Sequence, residues 1–214
     1  MVPPAASPRM SPDPRLPADP ADEANAQNLR WMEQIKTGDT AALEALIECH
    51  QARIVGTVAK MLGDESAAED IAQEVFLRVW KSAARYEPTA KFTTWLYKIT
   101  RNLVFNELRR RKRHPTESLD RPPNDEGAPP RSLPDPAAKT PDRTLLDGEM
   151  QAAIQRAIDA LPEMQRMAVI LRRYDEVPYE EIAETLELTV PAVKSVLFRA
   201  RTALREKLQH YLDG

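Results

Sequence analysis

Apolar residues recur every three to four positions through most of the chain, and no stretch sustains a two-residue alternation. That period predicts helices and no sheet. Leu29, Met32 and Ile35 mark a first helix that Gly38 ends. Asp39 is placed to cap the next, where Leu43, Leu46, Ile47, Ile54, Val58, Met61 and Leu62 form one stripe closed by Gly63. Ser66-Ala-Ala-Glu69 has the form of a capping box, with Ser66 as N-cap and Glu69 at the third helical position. Ile71, Val75, Leu77 and Val79 then support a third helix to Ala84. Tyr86-Glu87-Pro88 breaks the pattern, and a fourth helix is predicted over 93–111, with Leu96, Ile99, Leu103 and Leu108 turned inward. Further on, four helices are predicted over 144–160, 163–174, 179–186 and 191–212. Pro162 and Pro191 suit first turns, where a missing N–H costs nothing.

Proline divides this pattern. Of 19 prolines in 214 residues, seven lie in 1–20 and seven in 122–141, segments poor in large apolar residues. The chain therefore reads as a disordered tail (1–24), a helical block (25–114), a flexible linker (115–142) and a second helical block (143–213). The expected fold is all-α: two small helical domains joined by a flexible Pro-rich linker.

Composition removes several function classes. Cys49 is the only cysteine, so no disulfide forms within the chain, and a reducing, cytoplasmic setting is expected. Three histidines give poor support for zinc clusters or His-based triads, and six glycines for a phosphate-cradling loop. No metal or small-molecule cofactor is expected. No run of about 18 apolar residues is present, and the first 20 residues lack an apolar signal core, so neither membrane insertion nor secretion is expected. The net charge of −3 is uninformative, but its distribution is not. From Lys98 to Arg113 there are seven Lys or Arg and one acid, Glu107; from Asp64 to Glu74 there are five acids and no base. Such asymmetry fits two partners on two faces.

The sharpest local pattern is a helix over 179–186, a tight connection Glu187-Leu188-Thr189, and a longer helix, as in a helix-turn-helix. At 100° per residue, Val190, Val193, Leu197, Ala200, Leu204 and Leu208 share one stripe that must face the core. Ser195, Phe198, Arg199 and Thr202 point the other way, with Lys194 on the flank. Phe198 could meet a thymine methyl, while Arg199 and Lys194 could reach guanine edges or phosphate. The plainer reading is a solvated basic face with one stray aromatic.

In the first block, Phe92-Thr-Thr-Trp95-Leu-Tyr97-Lys98-Ile-Thr-Arg101-Asn102 interleaves aromatics and cations, and Asn106, Arg109, Arg110, Arg111, Lys112 and Arg113 follow. Aromatics stack on unpaired bases and cations track phosphate. Equally, Phe92 and Trp95 could be core, and the arginines a solvated helix end favoured by the helix dipole. The preceding helix, acidic at its start and rich in aromatics, reads either as an internal element or as a protein-docking face.

Together these segments resemble a bacterial sigma factor of the extracytoplasmic-function type. The resemblance is carried by Ala68-Glu-Asp70-Ile-Ala-Gln-Glu-Val-Phe-Leu-Arg-Val-Trp80, Phe92-Thr-Thr-Trp-Leu-Tyr-Lys-Ile-Thr-Arg-Asn102, Leu161-Pro-Glu163, Tyr179-Glu-Glu-Ile-Ala183 and Val193-Lys-Ser-Val-Leu-Phe-Arg-Ala-Arg201. It implies a non-catalytic protein that binds core RNA polymerase and reads the −10 and −35 promoter elements. It implies docking on the β′ clamp helices through Asp70, Gln73, Glu74, Phe76, Arg78 and Trp80, and a further contact with the β flap. It implies −10 contacts from Tyr86, Glu87, Lys91, Phe92, Trp95, Tyr97, Lys98, Arg101, Asn102, Arg109 and Arg110, and −35 contacts from Lys194, Ser195, Phe198, Arg199 and Arg201. It also implies a cognate anti-sigma factor. Val196 departs from the pattern, standing where many relatives carry a basic residue.

Two other classes compete. An ordinary helix-turn-helix regulator would use 25–114 for sensing or dimerisation, but the basic helix ending at Arg113 is a poor apolar dimer surface. A helical metalloenzyme could gather Glu69, Asp70 and Glu74, but the Glu-x-x-His pair of di-iron bundles is missing.

Overall fold

The structure, a computed structural model, describes residues 20–113 and 141–212. These residues form eight α-helices and no strand: α1 Pro20–Lys36, α2 Thr40–Leu62, α3 Glu65–Ser82, α4 Phe92–Arg113, α5 Pro141–Asp159, α6 Glu163–Arg173, α7 Tyr179–Leu186 and α8 Val190–Leu212. They build two helical domains, α1–α4 and α5–α8. Of the expected tail and linker, most lies outside the described residues. The described margins are corrections, because α1 starts at Pro20 and α5 at Pro141. Proline fits a first helical position, where its fixed φ is already helical.

The helix ends follow local chemistry. Asp39 is the N-cap of α2, accepting from the N–H groups of Ala41 and Ala42 at 2.9 and 3.1 Å. Gly63 ends the same helix in the left-handed region, φ 64°, and donates to Ala59 O. Asp64 follows at once in extended conformation and caps α3, its Oδ1 accepting from Ala67 N–H at 3.1 Å. Ser66 is therefore inside the first turn rather than at the expected N-cap. The one-residue reversal at Gly63 leaves Asp64 as the first side chain able to reach the orphan donors. The N-terminus of α4 has a remote partner, since Asn25 Oδ1 on α1 accepts from Phe92 N–H at 3.0 Å.

In the first domain Met32, Leu46, Ile54, Val58, Met61, Val75, Val79, Phe92, Leu96 and Val104 are buried together. In the second, Met167, Ile170, Leu171, Ile182, Leu186, Val193, Leu197 and Ala200 form the core. The buried apolar residues of the two domains belong to one continuous cluster, and polar contacts also join the domains. Arg166 donates to Met61 O at 2.8 Å, Thr57 Oγ1 to Asp175 Oδ2 at 2.7 Å, and Lys112 pairs with Glu163 at 2.6 Å. α4 lies directly against α7.

Candidate nucleic-acid and protein interfaces

The amphipathic pitch of α3 sends Ala68, Ala72, Val75 and Val79 into the core and leaves Asp70, Gln73 and Arg78 exposed. Glu74 is half-buried and accepts from Arg78 Nε at 2.9 Å. Trp80 is half-buried. Phe76 is 5% exposed and forms part of the floor between α2 and α3. Leu77, placed by periodicity among the helix's supporting residues, is 43% exposed. Leu43 and Ile47 of α2 with Gln73, Phe76, Leu77 and Trp80 of α3 line a groove of about 530 Å³. Leu77 is the residue sequence reasoning missed here. Its signal was its position one residue from Phe76, off the buried stripe.

The aromatics of the −10 set divide sharply. Phe92 is fully buried and Tyr86 is 5% exposed. Tyr86 and Phe92 pack with Trp95, whose ring centroid is 4.7 Å from Tyr86 and 5.8 Å from Phe92. Phe92 also meets the His50 ring at 5.4 Å. Burial pushes the Tyr86 hydroxyl up from its ordinary range. Phe92 and Tyr86 thus pack in the core of the first domain. Tyr97 is 4% exposed, and burial together with the neighbouring Asp175 carboxylate raises its pKa. Trp95 is half-buried and keeps an accessible edge, and Glu87 and Asn102 are exposed.

The cations of that helix lie along one line. Lys91, Thr94, Lys98 and Arg101 share a face of α4 and its entrance, and all four meet acidic residues of α7 and its C-cap. Lys91 pairs with Glu181 at 3.1 Å, and Thr94 Oγ1 donates to Glu181 at 3.3 Å. Lys98 pairs with Glu184 at 2.8 Å. Arg101 donates to Glu187 Oε1 and to Thr185 O, each at 2.8 Å, and to Asn102 Oδ1. Hydrogen bonding by the Arg101 guanidinium holds the Glu187 carboxyl below the usual carboxylate range. Further along, Arg109 and Arg110 are exposed and line a shallow cleft with Asn106 and Arg113.

The second domain delivers its expected face. The α7–α8 turn is made by Glu187 in the left-handed region, φ 58°, with Leu188 N–H donating back to Ala183 O at 2.8 Å. Thr189 Oγ1 accepts from Ala192 N–H at 3.3 Å, starting α8. Val193, Leu197 and Ala200 are buried, while Lys194, Ser195, Phe198, Arg199 and Arg201 are exposed. Phe198 is 70% exposed, so it contributes little to the core of its own domain. Val196 is 7% exposed, so this position points inward.

A two-domain helical protein with a helix-turn-helix in one domain and a basic, aromatic helix in the other is the class that this geometry defines. The family models for Sigma-70 region 2 and Sigma-70, region 4 match residues 46–114 and 151–204. The chain is 33% identical to RNA polymerase sigma-H factor of Pseudomonas aeruginosa over 190 residues, covering 87% of this chain and 96% of that protein. It is also 33% identical to the ECF RNA polymerase sigma factor SigW of Bacillus subtilis over 179 residues, 83% of this chain and 95% of that one. Among solved structures, CnrH in complex with the cytosolic domain of CnrY shares the fold, with TM-score 0.63 at 18% identity over 86% of this chain and 98% of that one. RpoE of Bartonella quintana, in complex with the anti-sigma factor NepR, shares it with TM-score 0.59 at 20% identity over 78% of this chain and 96% of that one. The chain belongs to the extracytoplasmic-function group of the sigma-70 family. It therefore serves promoter-specific transcription initiation with RNA polymerase.

Proposed function

We propose that the two domains divide the work of this sigma factor as follows. Residues 25–114 form the region 2 domain and 143–213 the region 4 domain, with 115–142 joining them. The α2–α3 groove receives the β′ clamp helices, with Leu77 and Trp80 as apolar anchors and Asp70, Gln73, Glu74 and Arg78 as the polar rim. Buried Phe76 shapes the floor. The −10 element meets α4: Lys91, Lys98, Arg101, Arg109 and Arg110 hold phosphates, and the accessible edge of Trp95 stacks on an unpaired base. Glu87 and Asn102 flank that path. The −35 duplex takes α8 in its major groove, where Lys194, Ser195, Phe198, Arg199 and Arg201 face the base edges and the backbone. Region 4 also rests on the β flap.

In this mechanism the protein supplies binding energy and no covalent chemistry, so it has no enzymatic activity of its own. Its place of work is the cytoplasm, with the polymerase. A cognate anti-sigma factor is a further partner, in keeping with the complex in which the Bartonella quintana relative was solved.

The observation that supports this reading most is the exposed triad of Lys194, Phe198 and Arg199 on α8, a large apolar ring kept out of the core between two cations. Run-off transcription with purified core polymerase tests it. A product with one start site that requires this chain is expected. Tight operator binding by the chain alone, with no such product, would mark a conventional helix-turn-helix regulator.

A further inference from the structure

Two asparagines of α1 reach the aromatic cluster at the start of α4. That helix begins without a cap of its own. Lys91 C=O accepts from Trp95 N–H at 3.2 Å, so Lys91 holds the N-cap position. An ammonium side chain has no acceptor to offer the first-turn N–H groups. Asn25 supplies one from 67 residues away, its Oδ1 accepting from Phe92 N–H at 3.0 Å. Asn28, on the same face of α1 and 3% exposed, places its Oδ1 2.8 Å from His50 Nε2. The His50 ring meets Phe92 at 5.4 Å, and Phe92 and Tyr86 back Trp95 at 5.8 and 4.7 Å.

Trp95 stands in the first turn of α4, and the backbone of that turn sets where its accessible edge points. First-turn N–H groups have no partner within the helix, and helix ends fray. Tyr86 and Phe92 hold one side of the Trp95 ring, while Asn25 holds the backbone of its turn. Asn28 seats α1 for that task. Its bond to His50 is buried, and Met32 and Ile35 continue the same face into the core.

We propose that Asn25 is a positioning residue for promoter reading: by capping α4 from α1 it fixes the turn that presents Trp95, and so sharpens base preference at the −10 element without touching DNA. This inference rests on the proposed role of Trp95 in the −10 reading. It differs from a purely stabilising cap in one respect. Loss of the Asn25 acceptor alters which −10 sequences are used, even where the domain stays folded.

The test uses the full chain with saturating core polymerase. The probe is a pool of linear templates randomised across the −10 and −35 positions, and sequencing of the transcribed templates gives the base preference at each. Asn25→Ala keeps α1, since alanine is the best helix former. It should lower the −10 preference roughly fivefold, the effect of a lost N-cap on the population of a fixed first turn. Its −35 preference, set by the other domain, should equal the parent's. Asn25→Asp, which keeps the acceptor, should restore the −10 preference. Asp39→Ala, which removes the N-cap of α2 instead, should leave it unchanged. Hydrogen exchange of the free chain should show the amides of 92–95 exchanging faster in Asn25→Ala and at the parent rate in Asn25→Asp. An unchanged −10 preference in Asn25→Ala would overturn the proposal. So would equal losses at −10 and −35, an equal loss in Asp39→Ala, or no rescue by Asn25→Asp. Trp95→Ala is run alongside and should lose the −10 preference. If it does while Asn25→Ala does not, only the positioning role fails; if it does not, the −10 reading fails and the proposal with it.

Discussion

Thr57 on α2 donates its hydroxyl to Asp175 at 2.7 Å, and this single bond joins residues 118 positions apart in two different domains. Burial raises the Asp175 carboxyl above its ordinary value despite that bond. A group whose pKa is raised in the packed form opposes packing once it ionises, so the boundary tightens as pH falls towards the Asp175 pKa. Asp175→Asn keeps an acceptor for Thr57 and removes the buried charge. It should hold or raise the thermal midpoint at neutral pH, whereas Asp175→Ala should lower stability by about 1 kcal/mol through the lost hydrogen bond. Calorimetry of the three proteins checks the order.

His50 gives the opposite pH sign. It is buried, with Nε2 2.8 Å from Asn28 Oδ1, and burial with the charge of Arg53 lowers its pKa to about 4. The folded state therefore favours the neutral ring. That contribution is present above the unfolded value near 6.5 and is lost as pH falls from there through about 4. At about 1.4 kcal/mol per unit, the loss reaches about 3 kcal/mol. Denaturant titrations from about pH 7 to about pH 4 should show a decline that His50→Gln flattens. A parallel decline in both proteins would place the titration elsewhere.

The third helix separates two sequence readings. Asp64, not Ser66, accepts the first-turn hydrogen bond and also meets Arg111 at 3.1 Å. Asp64→Ala should cost about 1 kcal/mol or more, the usual loss at an N-cap, while Ser66→Ala should be near neutral. Thermal melts of the two variants decide between them.

Much of the architecture was legible because helices announce themselves by period and by their caps. The core stripe of α8, from Val193 through Leu197 to Ala200, is as the 100° rotation placed it, and so is the exposed Phe198–Arg199 edge. Gly38, Asp39 and Gly63 end and begin helices where they were expected to. The aromatics were not legible. Phe92 occurs in the same word as Trp95 and Tyr86 lies shortly before it, and only the packing of the first domain shows which rings are buried. Nor could the pairing of α4 with α7 be read, since it joins residues more than 80 positions apart through charges that each look solvated in sequence.

Leu77 is the sharpest test of the docking face. At 43% exposure beside Trp80 it contributes to a groove and little to the core. Leu77→Ala should leave the melting temperature within about 0.5 kcal/mol of the parent in free-energy terms. It should weaken binding to core polymerase by about tenfold or more, as loss of an interface anchor does. Trp80→Ala and Asp70→Ala should weaken it as well, and fluorescence anisotropy against labelled core reads all three.

The central claim is that α8 reads promoter DNA with the face opposite its buried stripe, and Arg199→Ala measures it most directly. Arg199 is exposed and contributes nothing to the core, so stability and core binding should stay with the parent. Run-off transcription from paired templates, one with the cognate −35 element and one with that element altered, should show initiation on the cognate template falling about tenfold to a hundredfold, the cost of a lost bidentate base contact. The altered template should be affected far less. Initiation by Arg199→Ala equal to the parent on both templates would contradict the account.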